Sequence, residues 1–522
     1  MKVIAPMSHR SRPLPAARSR ETWTLLAAIL GSSMVFLEST VVAVALPALQ
    51  ADFAATLTDI QWVVAAFTLP LSALLLVGGA LSDRYGRRRM VALGAVLFAL
   101  GSAASGLAPT IGALIAARVV QGIGGAVLAP GALAMLSAGT PQQRRSRAIA
   151  LWSAATGGAT AVGPLLGGGL IELLSWRGVF FLNLPIAIVV VAILLTRVPE
   201  SRDDRAAGRL DWPGALLATL GLGGVVFGLI RASAEDGGAV SVVVPLAAGI
   251  ATLVLFVMVE ARAAQPVMPL ALFRSREFCG ANALTVLLYG AVSGALFLLP
   301  FTLIQVQGYA AAEAGAAIVP FFLLLVIVSR WAGGLVERSG AQVPLVAGPS
   351  LVAIGLALFA LPGIGGSYWT TIFPAVAVLG LGMGITVPPL TIVVMNSVDH
   401  RLAGVAAGVN NALSRAAGLL AVVLFSLVVA TAFNAELDRR VAALAPAPEA
   451  RASIDAQRRS LAAATVPATV PDAPALNRAV DEAYLAGYRL AMLLGAALAA
   501  AGAAIARLTV RGAPPAVQAL EE

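Results

Sequence analysis

The sequence predicts an all-α polytopic membrane protein of about fourteen transmembrane helices, built as two pseudo-symmetric six-helix bundles with two further helices inserted between them. Three observations predict it. Apolar residues make up 59% of the 522 residues and charged residues only 12%, against about 25% charged in a soluble domain. Fourteen apolar stretches reach the roughly 20 residues that a helix needs to cross about 30 Å of hydrocarbon. One ten-residue pattern recurs in the two halves, at 79–88 and 333–342. A chain so poor in polar residues has too little to cover a water-facing surface, so lipid covers it.

The elements follow in order. Residues 1–20 are a polar tail carrying Arg10, Arg12, Arg18 and Arg20. The apolar run after it is about 25 residues long, where a cleaved signal has 7–15, so the first helix is expected to stay. Spans near 24–48, 60–82, 90–108, 110–138, 148–171 and 179–196 form a first bundle within 21–200. Spans near 213–231 and 241–259 are the inserted pair within 201–262. Spans near 279–303, 314–336, 343–362, 370–395, 404–432 and 486–508 form the second bundle within 263–510. The segment 433–485, rich in Ala, Pro and mixed charge, reads as a partly disordered or surface-helical outer loop. Residues 511–522 are a second tail.

Charge sets the orientation. With both termini inside, the inner loops are rich in arginine, while the short outer loops carry only Arg177 and Arg231. Basic residues concentrate on the cytoplasmic side of membrane proteins. The expectation is a multi-pass protein of the cytoplasmic (inner) membrane with both termini cytoplasmic. The same argument disposes of nucleic acid as a partner: a pI of 10.6 reflects topology, since the arginines do not cluster on one amphipathic element.

Other chemistries are excluded by composition. Cys279 is the one cysteine, and with His9 and His400 it makes no metal cluster. Lys2 is the single lysine, so there is no P-loop, which needs a lysine after its glycines. No G-x-S-x-G elbow is present. No catalytic residues, metal or cofactor are expected, and the chain does not read as an enzyme.

The repeat pairs Gly79 with Gly333, Leu81 with Leu335, Asp83 with Glu337, Arg84 with Arg338 and Gly86 with Gly340. Each copy follows an outside-to-inside helix and opens a cytoplasmic loop. Homologous halves around a midplane site are a transporter architecture.

The segment G-A-L-S-D-R-Y-G-R-R-R (79–89) resembles the signature loop of the major facilitator superfamily, and L-I-A-A-R-V-V-Q-G-I-G-G-A (114–126) resembles its helix 4 motif. A-V-G-P-L-L-G-G (161–168) is similar to the helix 5 antiporter motif. L-E-S-T-V-V-A-V-A-L-P (37–47), Q-W-V-V-A-A-F (61–67) and W-R-G-V-F-F-L-N-L-P (176–185) narrow the resemblance to the 14-helix drug:proton antiporter subfamily, over residues 21–510. The resemblance implies export of amphiphilic drugs or antibiotics in exchange for protons, by a monomer. The alternative is a dedicated exporter of an endogenous metabolite or self-made antibiotic. An importer by symport and a non-transporting sensor are less well supported.

The site residues can also be read physically. Glu38 is a carboxylate inside an apolar helix, where ionisable groups are costly and mark function. Burial favours the protonated form of a carboxyl group and a nearby cation the ionised form, which together suit a proton carrier. Counting at 1.5 Å per residue puts Glu38 about 9 Å from the outer face and Arg118 about 12 Å from it, so the two are a candidate coupling pair. The subfamily usually has Asp where Glu38 stands; Glu keeps the charge and reaches one methylene further.

Gly79, Asp83, Arg84, Gly86 and Arg87 form the candidate switching loop, with the two glycines expected to serve close packing and a tight turn. Gly163, Pro164, Gly167 and Gly168, with Gly157 and Gly158 before them, make a small-residue face with a proline kink, suited to close helix approach. The resemblance makes it a seal against proton leak. Phe36, Phe67, Tyr289, Gln305, Asn411 and Arg415 are the candidate lining of a substrate cavity, with Arg415 near the midplane and able to meet an anionic group or a carbonyl.

Overall fold

Residues 15–202, 212–232, 238–263, 266, 268–399, 402–464, 466–467 and 473–510 are described by the structure, a computed structural model. The basic tail through residue 14, the tail 511–522, His9, His400 and parts of the inserted segment and outer loop lie outside these residues.

Among the described residues, fourteen helices are long and apolar enough to cross a membrane, and there is no strand. They are α1 (Pro15–Asp52), α2 (Leu57–Tyr85), α3 (Arg87–Gly106), α4 (Ile111–Gly139), α5 (Gln142–Leu173), α6 (Trp176–Arg197), α7 (Trp212–Ala232), α8 (Ala239–Glu260), α9 (Arg276–Val306), α10 (Ala311–Ser339), α11 (Gln342–Phe359), α12 (Phe373–Asn396), α13 (Ala403–Leu444) and α14 (Ala473–Thr509).

Local chemistry sets several starts. The first amides of a helix lack intrahelical partners. Thr56 takes the Asp59 amide at 3.2 Å while the Asp59 carboxylate accepts the Thr56 amide at 2.9 Å, a closed capping box that starts α2. Thr110 caps α4 through the Ala113 amide at 3.2 Å, and Ser275 caps α9 through the Phe278 amide at 3.2 Å.

Helices α1–α6 pack into one bundle and α9–α14 into another, with α7 and α8 as a paired hairpin beside them. The starts of α1 and α5 lie together, where Arg144 pairs with Glu21 at 2.7 Å. The end of α14 meets the starts of α9 and α11, where Arg276 donates to the Leu508 carbonyl and Gln342 to those of Arg507 and Val510. We call this the terminal face and the other the opposite face. The bundles touch through α5 with α10, α2 with α13, and α1 with both α9 and α10.

Toward the opposite face one core runs through both bundles and includes Leu46, Leu49, Ile60, Phe301 and Phe321. Toward the terminal face the first bundle has a separate core that includes Ala27, Met34, Phe98, Leu128 and Leu194. The buried apolar cores of the two bundles are thus continuous toward the opposite face and separate toward the terminal face, the packing pattern of a cleft that opens on the terminal side.

The repeat is legible in the backbone. Gly86 ends α2 at φ +106° and Gly340 ends α10 at φ +75°, both in the region that favours glycine.

The main departure from expectation is the segment 433–485. α13 continues to Leu444 and α14 begins at Ala473, joined by a helix at Pro448–Gln457 and a 3₁₀ segment at Arg458–Ala463. α13 is thus about 63 Å long. Leu437, Val441, Leu476 and Val480 are buried at helical spacing, so the two extensions pack as an amphipathic pair. Arg440 joins them by pairing with Glu436 on α13 and Glu482 on α14, and Arg458 holds the 3₁₀ segment through Asp438 and Asp455.

Candidate functional site

The polar centre of the first bundle lies between α1, α3, α4 and α6. Glu38 and Arg118 are both buried, at 0% and 2% exposure, and form a direct ion pair. Arg118 also donates to Gln121 Oε1 at 2.7 Å and to the Val63 carbonyl at 3.3 Å. Its guanidinium lies 4.3 Å from the centre of the Phe67 ring and 5.8 Å from that of Phe180. The second carboxylate oxygen of Glu38 accepts from Asn183 Nδ2 at 2.7 Å. Ser102 ties the network together: it accepts from Gln121 at 3.2 Å and from Asn183 at 3.0 Å, and donates to the Phe180 carbonyl at 2.8 Å.

Buried charges need partners on every side, and this cage supplies them. Phe67 belongs to it. The expectation that Phe67 lines a cavity is therefore corrected: at 2% exposure it is the surface on which Arg118 lies, and it packs edge-on against Phe98. Gln121, Asn183 and Ser102 were not singled out in the sequence, although a lone Asn in the apolar α6 and a Gln one turn past Arg118 were signals.

At the α2–α3 turn, Asp83 pairs with Arg87 at 2.7 Å, and Arg84 is exposed with its guanidinium near the Tyr85 ring. The turn's organiser is Glu200, just past α6. Its carboxylate accepts the backbone amides of Arg88 at 3.0 Å and Arg89 at 3.2 Å, the unpartnered start of α3. A Cβ on Gly86 would stand 2.7 Å from the Glu200 carboxyl carbon, so this position needs glycine for space as well as for φ. The close-packing role expected of Gly79 belongs instead to its neighbour. A Cβ on Gly78 would reach within 2.8 Å of the Ala126 carbonyl carbon, whereas one on Gly79 meets only Pro130 at 3.7 Å. Glu200→Ala is expected to destabilise the folded protein by about 1–2 kcal/mol through loss of this cap, read as a lower melting temperature in detergent.

The glycines of α5 divide between two partners. Gly163 and Gly167 face α1, where a Cβ would lie 3.1 Å from Thr40 Cβ and 2.9 Å from the Val41 carbonyl. Gly168 faces α10 across the seam, where a Cβ would lie 2.6 Å from Ala312 Cα, and a Cβ on Gly315 would lie 2.8 Å from the Pro164 carbonyl carbon. Gly158 has nothing within 4 Å and Gly157 meets only Val326 at 3.8 Å, so these two are not part of the contact.

Three hydrogen bonds latch the seam at the opposite face. Glu172 of α5 accepts the Ala312 amide of α10 at 3.0 Å. Gln305 of α9 donates to Gln50 of α1 at 3.0 Å, and Gln50 donates to the Ser460 carbonyl of the 3₁₀ segment at 3.1 Å. Gln305, expected in the cavity, is thus a latch residue, because the end of α9 reaches the opposite face and meets α1 there. Phe36 is half-buried edge-on to Trp152, 6.5 Å away. Tyr289 is half-buried against the core of the second bundle. Asn411 is exposed and Arg415 half-buried, while the adjacent Asn410 donates to Asn282 at 3.0 Å and Thr285 at 2.7 Å.

Comparison with known proteins bears on this geometry. The sequence profile of the Major Facilitator Superfamily matches residues 28–422. The tetracenomycin C resistance and export protein of Streptomyces glaucescens is 33% identical over 519 residues, covering 98% of this chain and 95% of that protein. The multidrug resistance protein Stp of Mycobacterium tuberculosis (strain CDC 1551 / Oshkosh) is 35% identical over 82% of this chain and 79% of its own. The cephamycin export protein CmcT of Amycolatopsis lactamdurans is 38% identical over 75% and 82%. In fold, the chain matches a bacterial homolog of the human lysosomal transporter Spinster, crystallised inward-facing and occupied, with a TM-score of 0.65 at 18% identity over 94% of this chain and 96% of that one. Sequence profile, relatives and fourteen-helix architecture agree: the chain belongs to the Major Facilitator Superfamily of membrane transporters.

Proposed function

We infer that the protein is a secondary active exporter that moves amphiphilic drugs or antibiotics out across the cytoplasmic membrane in exchange for protons, as a monomer with both termini in the cytoplasm. The observation that carries this reading is the buried Glu38–Arg118 pair inside its cage of Gln121, Asn183 and Ser102. The relatives named for antibiotic export and resistance support the direction and the substrate class. The arginines of the terminal face support its assignment as cytoplasmic.

A proton reaching Glu38 cancels one charge of the pair and turns its carboxyl into a donor. Asn183 Oδ1 is buried without a partner, so rotation of that amide offers the new donor an acceptor. The change is passed on through α1. Glu38 lies between Leu37 and Thr40, the residues against which Gly163 of α5 packs, and Gly168 of the same helix docks on α10. Loosening α1 from α4 and α6 therefore loosens the seam that closes the opposite face. Substrate entering the cleft from the terminal face is released when that seam parts.

The test is purified protein in proteoliposomes with an internal pH dye. Drug addition should drive proton movement, and an imposed pH gradient should drive drug accumulation. Drug flux indifferent to the pH gradient would refute the coupling. At the switching loop, Asp83→Asn should lose transport while keeping substrate affinity, since the Asp83–Arg87 pair sits at the α2–α3 turn on the terminal face, well away from the midplane; wild-type flux in this variant would reduce the loop to a topology signal.

A second reading, a dedicated exporter of one compound made by the cell itself, is favoured by relatives named for a single antibiotic such as tetracenomycin C or cephamycin. A susceptibility panel in an efflux-deficient host separates the two, since a dedicated exporter protects against one scaffold only.

A further inference from the structure

Arg415 is the cation for which the coupling network has no use. It lies twelve residues on from Ala403, the first residue of α13, about 18 Å along a helix that crosses some 30 Å of hydrocarbon. An arginine at such depth normally pairs with an acid or a carbonyl. Among the described residues Arg415 has no such partner, and it is half-buried where Arg118 is fully enclosed.

The direction it faces follows from helical spacing. One and two turns further on, Leu419 and Val423 pack with Ala65 of α2 and Val226 of α7 in the seam between the bundles. Arg415 is on the same side of α13, one turn nearer the terminal face, where the seam gives way to the cleft. Asn411, a further turn along that side, is exposed. A second arginine stands on the far wall. Val326 of α10 faces Gly157 of α5, and Arg330, one turn on from Val326, is exposed. It too has no hydrogen-bond or ionic partner among the described residues.

Among the described side chains no acid pairs with these cations from the walls. On α2 the carboxylates are Asp59 and Asp83 at the two ends; on α5 and α10 they are Glu172, Glu313 and Glu337, also near helix ends; α7, α12 and the cleft-lining half of α13 have none. Glu38 is committed to Arg118.

We propose that Arg415 and Asn411 form an oxyanion-recognition subsite at the midplane of the cleft, so that preferred substrates are amphiphiles bearing a carboxylate or an equivalent acidic group. The guanidinium offers a planar pair of donors matched to a carboxylate, the Asn411 amide adds a neutral donor, and the apolar walls take the rest of the molecule. This deepens the export reading and rests on it for the direction of transport, though the binding step stands apart from transport.

Two dyes with one ring system provide the test: 5-carboxyfluorescein, an oxyanion, and rhodamine 6G, an esterified cation. Binding of each to the purified full-length protein is followed by fluorescence polarisation, and transport in proteoliposomes. Arg415→Gln is expected to weaken carboxyfluorescein binding about tenfold or more while rhodamine 6G binding changes by less than about twofold, the loss of one charge-assisted hydrogen bond. Arg415→Lys keeps the charge without the planar fork and should recover part of the lost carboxyfluorescein affinity while leaving rhodamine 6G binding unchanged, a split that a merely structural arginine would not show. Equal weakening of both dyes, unchanged carboxyfluorescein binding in Arg415→Gln, or no binding of it by the wild-type protein would each overturn the assignment. Rhodamine 6G export without carboxyfluorescein binding would remove the subsite and leave the export reading standing. Selective carboxyfluorescein binding with no transport of either dye would do the reverse.

Discussion

Glu38→Gln should abolish drug-driven proton movement in proteoliposomes while substrate counterflow, which moves no net proton, continues. The carboxyl group is enclosed, and every hydrogen-bond partner it has belongs to the cage around Arg118. Gln keeps the shape and can still bond Asn183, yet it has no proton to give or take. The variant also leaves Arg118 charged and buried without a counter-ion, and breaking a buried pair from one side costs about 3–5 kcal/mol. A lower melting temperature should therefore accompany the loss of coupling. Glu38→Asp should move protons again, because it restores the charge with a shorter reach. Arg118→Lys should restore coupling only in part: an ammonium can meet Glu38 and Gln121, which one guanidinium nitrogen holds, but has no planar group to reach the Val63 carbonyl as well and lie on Phe67. Undiminished proton movement in Glu38→Gln would remove this residue from the coupling mechanism.

Gly168→Val should stop transport by a different route, by preventing the opposite face from closing. The first added carbon would stand 2.6 Å from Ala312 Cα, on the backbone of α10, where no rotamer relieves it. Overpacking of this kind costs about 1–3 kcal/mol, and it falls on the closed state alone. The seam should then stay parted, with the Glu172 latch broken. A cysteine placed at Ala314, buried in the closed state, should label from the opposite face much faster in Gly168→Val than in the parent. Gly158→Ala is the internal control, because nothing lies within 4 Å of the added methyl; it should transport like the wild type. Equal labelling in parent and Gly168→Val would show that the seam tolerates the bulk.

These two residues also show how far the sequence could be read. Glu38 and Arg118 were placed at similar depth by counting along two apolar runs, because a helix rises by a fixed amount per residue and a charge in an apolar run stands out. Counting says nothing about rotation, so it could not tell that Phe67 turns under Arg118, or that α6 swings Asn183 onto Glu38. The glycines of α5 are legible in the sequence as a close-packing face, but which of them meets α1 and which α10 depends on the packing of the two bundles. Glu200 was hidden for the same reason: it is over a hundred residues from the amides it caps. The extensions of α13 and α14 do not stand out in the sequence because they are not apolar runs. Their periodicity is helical, with Leu437, Val441, Leu476 and Val480 on the buried sides, but their mean polarity is that of a loop.

The hairpin of α7 and α8 has a consequence for how the molecule moves. α7 touches α2 of the first bundle and α13 of the second, through Val226 and Ile230 against Ala65, Leu419 and Val423. α8 packs on α7 and is otherwise largely exposed to the surroundings. If the bundles rock against each other, a helix that spans their joint cannot ride with both. It has to slip along one of them in every cycle. The contact suits such a bearing: smooth aliphatic side chains, with small residues such as Ala65 and Gly223 where the helices approach. In such a motion the inserted pair would serve as a sliding gasket along the joint between the bundles.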